Sequence, residues 1–324
     1  MSSGNRILLI DQLNLFFRSY IVNPTLSTNG QPIGGIVGTI KSLQKICREV
    51  NPDKIGICWD GQGGSSKRKL MNKDYKAGRK PLRLNRDIRT LSEEEEKSNK
   101  AWQLHRVMEY YNSMPVIQFM FSGIEADDII AYISNMPQLS GDQKVIVSSD
   151  KDFFQLLDDS TILYRPIQKE ILNKNNVLEK FGIHPNNMAM ARAMAGDKSD
   201  NLNGIGNCGM KTASKRFPFL SKDHSATISD VISYSKQQLK ENNIKVYQNV
   251  VDKQDLLEEN YRIMQLYTPS LSIDSKRSIR DTLQNADISF NKTEIIKNMV
   301  NDGFSNLEWT ELQAFFRKIV IDNQ

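Results

Sequence analysis

Three short apolar segments of this chain lead into aspartates, and this pattern limits the possible folds more than any other feature. The segments and their acids are Ile7 to Ile10 with Asp11, Ile55 to Trp59 with Asp60, and Val145 to Val147, which leads through two serines to Asp150. Short continuous apolar runs are typical of strands buried on both faces of a parallel sheet. In such a sheet ligands bind outside the carboxyl ends of the strands, near the switch in strand order. The sequence therefore predicts an α/β fold whose aspartates converge at one sheet edge.

A helical pattern separates the first two of these segments. From Gly35 to Val50 the apolar residues recur at three- and four-residue steps, which is typical of a helix packed on one face. Strand, helix and strand in this order favour a right-handed crossover between parallel strands. Val116 to Phe121 is a further strand candidate, and it leads towards a fourth acid, Glu125.

The stretch from Gly123 to Ala131 places three carboxylates, Glu125, Asp127 and Asp128, at the start of an apolar helix predicted to reach Met136. Acidic residues suit the first turn of a helix, but a capping role needs only one of them, and three repel one another. With Asp150-Lys151-Asp152, they indicate a divalent metal at the sheet edge. On these two stretches alone, a capped helix and a solvated turn remain an alternative.

A strongly basic segment runs from residue 61 to residue 90. It contains ten Lys or Arg against two Asp, a local charge of +8, whereas the whole chain carries +5 and the remainder therefore −3. Such a local field beside acid clusters is the pattern of a protein that grips a polyanion, although a solvated basic loop would look similar. Lys80-Pro81 should interrupt any helix there. Ser92 and Glu95 then form a capping box for the helix that follows.

The second half of the chain is predicted to be helical. Asn186 to Ala195 reads as a helix, and the Gly-rich turn after it should present backbone N–H groups to a phosphate. Met210 separates its last glycine from Lys211 and no apolar strand precedes it, which argues against a nucleotide-binding loop. Asp252 to Leu266 and Lys292 to Val320 also read as helical.

Composition excludes several classes of protein. The first apolar run is too short for a signal peptide or a membrane span, so we expect a cytoplasmic protein. The cysteines, Cys47, Cys58 and Cys208, are odd in number and lack metal-like spacing, so neither a disulfide framework nor a zinc site is expected.

Taken together, these motifs resemble the 5′-nuclease superfamily of flap endonucleases and 5′-to-3′ exonucleases over roughly residues 6 to 216, and most of all the phage ribonuclease H type. The matching motifs are Asp11 with Asn14 three residues on, Trp59-Asp60-Gly61, Tyr75-Lys76-x-x-Arg79, Glu125-Ala126-Asp127-Asp128, Ser149-Asp150-Lys151-Asp152, and Gly196-Asp197-x-x-Asp200-Asn201 before the Gly-rich Lys211-Thr212-Ala213. The resemblance implies a PIN-like α/β domain over residues 1–180, with a mostly parallel central sheet flanked by helices and a helical arch at about 61–110. A helical DNA-binding region would fill 181–324, with a helix-three-turn-helix motif at about 186–216.

The resemblance also implies roles for the matched residues. Two Mg²⁺ or Mn²⁺ ions would be held by Asp11, Asp60, Glu125, Asp127, Asp150, Asp152, Asp197 and Asp200, with Asp128 in the same motif. Lys76 and Arg79 would contact the scissile phosphate, or only grip the backbone. The nucleic-acid contacts would be Lys67, Arg68, Tyr75 and Lys80 in the basic segment and Gly204, Gly206, Gly209, Lys211 and Thr212 in the Gly-rich turn. Tyr75 would stack on a displaced base or pack internally. Asn207 and Met210 depart from the pattern and argue against the K⁺ often bound at this turn.

The expected activity is that of a metal-dependent 5′-to-3′ exonuclease and flap endonuclease acting on RNA or DNA annealed to DNA, suited to primer removal in a phage-infected bacterial cytoplasm. A monomer is expected, with a single-strand-binding protein or a sliding clamp as candidate partners. Leu312, Phe315 and Phe316 partly match a clamp-binding peptide, but a helical core explains them better. Two alternatives are a catalytically silent structure-specific DNA-binding protein and a ribonuclease of the small-toxin nuclease fold. The complete acid set opposes the first; the basic segment and Gly-rich turn oppose the second.

Overall fold

The protein is built on one mixed sheet with helices on both sides. A computed structural model describes residues 4–79, 82–85, 87–88, 91–269, 271–304 and 309–323, with the backbone alone at residue 309. Within these residues the sheet has six strands: β1 (Arg6–Asp11), β2 (Lys54–Cys58), β3 (Ile117–Phe119), β4 (Gln143–Val147), β5 (Thr161–Arg165) and β6 (Glu170–Leu172). Their order is β3-β2-β1-β4-β5-β6, and only the β5–β6 pairing is antiparallel. The predicted mostly parallel α/β fold is confirmed.

The strand order reverses beside β1. The chain moves outward from β1 to β2 and β3 and then returns to place β4 on the other flank of β1. Ile10 of β1 is in register with Ile57 of β2 and Val147 of β4, so the three strands end at the same level. A crevice forms at such a switch point because the connections leave in opposite directions.

The described helices are numbered in chain order. They are α1 (Gln12–Val22), α2 (Gly34–Val50), α3 (Ser66–Met71), α4 (Glu93–Asn112), α5 (Ala126–Ser134), α6 (Lys174–Phe181), α7 (Met188–Ala195), α8 (Met210–Arg216), α9 (Ile228–Glu241), α10 (Lys245–Asp252), α11 (Gln254–Met264), α12 (Ile273–Asn285), α13 (Lys292–Asn301) and α14 (Trp309–Asp322). The predicted capping box before α4 is present, with Ser92 and Glu95 each bonded to the other's backbone N–H. In the helix predicted from residue 186, residues Pro185–Asn187 form a 3₁₀ turn and α7 follows. The segment predicted helical from Lys292 to Val320 contains both α13 and α14.

Two hydrophobic clusters cover opposite faces of the sheet. Ile7 and Leu9 of β1 belong to one cluster and Leu8 and Ile10 to the other, as expected from alternating side chains. The first cluster also contains residues from α7 to α12, and the second contains Leu312 and Phe316 of α14. Leu312 and Phe316 are fully buried, as the helical-core interpretation requires. Because both clusters join residues from before and after residue 180, the two-domain division stays a prediction.

Part of the predicted arch falls outside the described residues, namely Lys80, Pro81, Arg86, Arg89 and Thr90. On either side of them lie α3 and α4. Among the helices of the described segments, none combines the length and apolarity that crossing a membrane requires.

Candidate active site

The carboxyl end of the sheet carries a group of acids. Asp11 is the last residue of β1, Asp60 lies two residues beyond β2, and Asp150 lies three beyond β4. Glu125 is the N-cap residue of α5, but its side chain makes no capping hydrogen bond. The sequence argument that these acids do more than cap a helix is therefore supported by the geometry.

These acids line an open cleft of about 380 Å³ at the switch point. Its titratable lining residues are Asp11, Asp60, Glu125, Asp127, Asp150, Asp152 and Asp200 together with Arg18, Lys76 and Arg79. The cleft therefore gathers seven of the nine predicted metal-binding acids and both predicted catalytic cations. The other two acids, Asp128 and Asp197, do not line it and are held by arginines beside it.

Local hydrogen bonds fix the orientation of the central carboxylates. Ser148 Oγ donates to Asp11 Oδ2 over 2.8 Å, and the backbone N–H of Asn14 donates to Asp11 Oδ1 over 3.2 Å. Asn14 Oδ1 in turn accepts from the N–H of Ser149 over 3.1 Å, which ties the end of β1 to the loop after β4. Asp60 accepts from the N–H of Ala126 over 2.7 Å, and thereby joins β2 to the start of α5.

The carboxylates also repel one another. Burial, with the charges of Asp60 and Asp150, raises the pKa of Asp11 to about 7 although the Ser148 hydrogen bond opposes the shift. Burial and the charges of Asp150 and Asp11 raise the pKa of Asp127 well above its usual range. Burial and Asp150 likewise raise the pKa of Asp152 to about 7. A bound cation would remove this repulsion, because an opposite charge favours the ionised carboxylate.

Basic side chains already neutralise part of the cluster. Lys76 Nζ lies 2.5 Å from Glu125 Oε1, Arg79 pairs with Asp200, and Arg68 pairs with Glu125 and Asp128. Arg192, on α7, bonds Asp152 through Nε over 2.6 Å. Its Nη2 bonds Asp197 over 2.7 Å.

Lys76 also has an unusual backbone. Its φ is 58°, in the left-handed region that a non-glycine residue seldom adopts. Its N–H donates to the backbone oxygen of Asp200 over 2.8 Å, and Asn201 Nδ2 donates to the backbone oxygen of Asp74 over 3.1 Å. The Tyr75-Lys76-x-x-Arg79 motif is thus held against the Asp197–Asn201 loop, which places its cations in the acid cleft.

Sequence reasoning missed Arg18, Arg192 and the structural use of Arg68. Arg18, on α1, lines the cleft, and its side chain forms no hydrogen bond or ion pair with any residue in the described ranges. Arg192 is the one charged residue of the apolar helix α7, and this isolation was a signal available in the sequence.

The acid site fits hard divalent cations, although it is not arranged as a finished coordination shell. In the part of the chain that the structure describes, no three His, Cys, Asp or Glu side chains surround a single point as a metal site would require. The donors are nonetheless all carboxylate oxygens, which suit Mg²⁺ or Mn²⁺ and not a thiolate or imidazole site. Burial and the mutual repulsion of these carboxylates both raise the pKa values of Asp11 and Asp127, and a bound cation would oppose both effects.

The predicted nucleic-acid residues of the basic segment differ in exposure. Lys67 is exposed. Arg68 is 8% exposed and also donates through Nε to the backbone oxygen of Ile263, so its guanidinium is committed to the protein interior. Tyr75 is 4% exposed and belongs to the hydrophobic core, which fits the packing alternative and not base stacking. Lys80 lies outside the described residues.

The Gly-rich turn is tightly built. A Cβ on Gly204 would lie 2.2 Å from the backbone oxygen of Ala195, so only glycine fits there. Asn207, which stands where the pattern expects glycine, adopts φ 61°, a conformation that asparagine tolerates better than most residues. Asn249 Nδ2 donates to the backbone oxygen of Gly206 over 2.7 Å, and Asn260 Nδ2 to that of Asn203 over 2.8 Å.

At the end of this turn Gly209 is the N-cap residue of α8, with Lys211 exposed and Thr212 half-buried in its first turn. These positions leave Lys211 available to a phosphate. The contact with a duplex and the absence of K⁺ both stay predictions.

Comparison with known proteins identifies the family. Residues 6–182 match the family described as 5′-3′ exonuclease, N-terminal resolvase-like domain. The chain is 31% identical over 213 residues to a 5′-3′ exonuclease of Buchnera aphidicola subsp. Schizaphis graminum, covering 64% of this chain and 68% of that protein. It is 29% identical over 219 residues to a DNA polymerase I of Caldicellulosiruptor bescii, covering 65% of this chain but only 24% of that protein.

Solved structures of the bacteriophage T5 enzyme share the fold. The T5 5′-exonuclease with zinc has a TM-score of 0.68 at 20% identity, covering 87% of this chain and 100% of that one. The T5 flap endonuclease in a complex with DNA and metal ions has a TM-score of 0.64 at 18% identity, covering 93% of this chain and 100% of that one. With the family match over more than half of its residues, this chain belongs to the 5′-3′ exonuclease family and is a 5′ nuclease.

Proposed function

We propose that this protein is a divalent-metal-dependent 5′-to-3′ exonuclease and flap endonuclease that hydrolyses phosphodiester bonds in 5′ flaps and in RNA or DNA primers annealed to DNA. One observation carries the proposal. Asp11, Asp60, Asp127 and Asp150 meet at the switch point of the sheet without an ion pair to any described residue, and Lys76 and Arg79 stand at the same cleft. Carboxylates without an ion pair, beside cations that are paired only with acids of the same cleft, suit a metal-bound phosphodiester.

The residues divide the chemistry between them. Asp11, Asp60, Asp127 and Asp150 would hold divalent ions, whose role when bound is to activate a water and stabilise the leaving oxygen. Lys76 and Arg79 can turn from Glu125 and Asp200 towards a phosphate that enters the cleft. Positive charge at that place favours the transition state because negative charge develops on the phosphoryl oxygens.

Arg18 gives the cleft a cation without a competing partner. The residue is half-buried, and its side chain lines the cleft without a hydrogen bond to other described residues. An arginine without an internal ion pair can bind a phosphate through two hydrogen bonds (bidentate binding) without first breaking another contact. We assign it to the phosphate beside the reacting one.

The substrate class follows from the distribution of charge and the Gly-rich turn. The basic segment binds the phosphate backbone of nucleic acid independently of base sequence, and Lys211 with Thr212 supplies a second contact, to the duplex. Mg²⁺ or Mn²⁺ as the ion, ribonuclease H activity, primer removal in replication, action as a monomer in the cytoplasm, and a sliding clamp or single-strand-binding protein as partner are parts of the same proposal.

The test is cleavage of a 5′-labelled flap and a 5′-labelled primer–template in Mg²⁺ and again in EDTA. We expect short labelled products from the 5′ end only with metal. Asp281→Asn is the matched control, because Asp281 is exposed on α12 and does not line the cleft. Tight binding without cleavage in any divalent ion would favour the catalytically silent DNA-binding protein instead.

A further inference from the structure

The two halves of the acid cluster differ in how their charge is balanced. Asp11, Asp60, Asp127 and Asp150 have no cationic partner at ion-pair distance among the described residues. Three acids of the other half are paired: Asp152 and Asp197 with Arg192, and Asp200 with Arg79. The first half therefore has no ion pair among the described residues, although the charge of Arg192 also acts on Asp150, whereas the second half is already paired.

Arg192 is a built-in part of the second half. Its side chain is 10% exposed, and the two carboxylates it joins are 18% and 19% exposed. Asp152 begins a 3₁₀ turn after β4, whereas Asp197 lies beyond α7, so one guanidinium bridges two separate loops. The planar fork of arginine can hold two carboxylates at once, as lysine cannot.

Side-chain amides bond to the backbone beside both ends of the Arg192–Asp152 ion pair. Asn260 Nδ2 donates to the backbone oxygen of Ala193, the next residue, over 3.0 Å. Gln155 Nε2 donates to the backbone oxygen of Asp152 over 2.8 Å and to that of Met264 over 3.0 Å. Asn260 lies on α11 and Met264 is its last residue, so these hydrogen bonds connect the ion pair to helix α11. Arg79, by contrast, has a side chain that is 50% exposed, and such a pair is weak.

We propose that Arg192 takes the electrostatic place of a second divalent ion in the DNA-free protein. One ion then binds tightly to the first half of the cluster, and a second binds weakly because it must compete with a guanidinium for Asp152 and Asp197. This inference rests on the proposed function only in requiring that the cluster binds divalent ions. It assigns to Arg192 the control of how many ions are bound before DNA arrives.

The experiment is a titration of Mn²⁺ into the metal-free protein without DNA, with free Mn²⁺ measured by electron paramagnetic resonance. For the wild type we expect one tight site and a second that is weaker by about tenfold or more, since one unit charge in a largely buried site changes affinity on that scale. Arg192→Gln should tighten the second site by a similar factor. Arg192→Lys keeps the charge but can bond only one of the two carboxylates at a time, so its second site should have an affinity between those of the wild type and Arg192→Gln.

Arg106→Gln is the matched control. Arg106 is also a largely buried arginine with two acidic partners, Asp302 at 2.9 Å and Glu109, but it lies on α4 and does not line the cleft. Its loss should leave both Mn²⁺ affinities unchanged. Two equally tight sites in the wild type, an unaltered second site in Arg192→Gln, or an Arg192→Lys variant that behaves like Arg192→Gln would each overturn the proposal.

Thermal unfolding with and without Mn²⁺ covers the case in which Arg192→Gln is unstable. If Arg192 stands in for a cation, Mn²⁺ should raise the melting temperature of the variant more than that of the wild type. A variant that stays unfolded in saturating Mn²⁺ would overturn the proposal, because Arg192 would then act through packing. A wild-type protein that binds no Mn²⁺ would refute both this inference and the proposed metal-dependent activity, whereas the other adverse results refute this inference alone.

Discussion

Replacing Arg68 with methionine separates two roles that the sequence could not. Its guanidinium bonds Glu125, Asp128 and the backbone oxygen of Ile263 while remaining 8% exposed. Methionine keeps the length and apolar stem of the side chain but removes its charge. If the role is internal, the loss should appear as lower stability of the folded protein and not as weaker DNA binding.

The size of the effect follows from what each partner loses. Glu125 keeps Lys76 at 2.5 Å, but Asp128, whose side chain is 12% exposed, loses its arginine. Removing one partner of a buried ion pair costs about 3–5 kcal/mol, and the lower end applies here because Glu125 stays paired. For a chain of 324 residues the entropy of unfolding is roughly 0.7 kcal/mol/K, so about 3 kcal/mol lowers the melting temperature by about 4 °C.

The assay pairs calorimetric melting with fluorescence anisotropy on a labelled flap substrate at fixed salt. Lys69→Met, an exposed position on the same helix, is the control and should leave the melting temperature nearly unchanged while weakening DNA binding. Adding Asp128→Leu to Arg68→Met should recover most of the stability, since the buried charge is then gone as well. An unchanged melting temperature together with weaker DNA binding in Arg68→Met would refute the internal role and restore the sequence prediction.

Four further outcomes are expected. Asp150→Asn should lower the cleavage rate by on the order of a hundredfold or more while flap binding persists, because it removes a metal donor and some repulsion; an unchanged single-turnover rate would refute its assignment. Lys211→Ala should weaken duplex affinity and reduce the salt slope of binding by about one, with the rate at saturating DNA retained; a lost rate with intact affinity would mean the turn serves chemistry. Arg18→Gln should lower kcat/KM by about tenfold or more without lowering the melting temperature, since it breaks a charged contact only with substrate; a destabilised but fully active variant would contradict this. Ser92→Ala should cost about 1 kcal/mol in urea unfolding through loss of the capping box, with cleavage unaffected; an undiminished midpoint would show that the cap does not limit stability.

The strands that end in acids could be predicted because their signals are local. The segment from Ile7 to Ile10 is apolar without interruption. Such a short run is typical of a strand buried on both faces, as β1 is. The capping box of Ser92 and Glu95 is likewise contained in four residues. In both cases the physical cause and the pattern that reveals it occupy the same short stretch.

Other elements gave no such signal. Helix α1 begins directly after β1 without a Gly or Pro, and Asp11 is its N-cap through a bond from the N–H of Asn14. The same aspartate thus ends a strand, caps a helix and faces the cleft. The sequence predicted the strand end and the place in the cleft, but not the helix cap. Strand β6 has three residues and an exposed Ile171, so its pairing with β5 depends on the sheet already being formed.

The pairing of cations with acids in the cleft was the feature that the sequence predicted least. The motifs predicted the positions of the acids because the ends of parallel strands place these residues at one edge of the sheet. Which cation meets which acid depends on distances between elements far apart in sequence, as with Arg192 and Asp152 across 40 residues or Arg68 and Asp128 across 60. The prediction of Arg68 as a nucleic-acid contact could not take its internal ion pairs into account for this reason. A basic residue near an acidic motif in the sequence therefore indicates little about whether it serves the substrate or the fold. Its burial and its number of internal partners distinguish the two, and by that criterion we propose that Arg18 contacts the substrate, whereas Arg68 and Arg192 are bonded to acids of the protein itself.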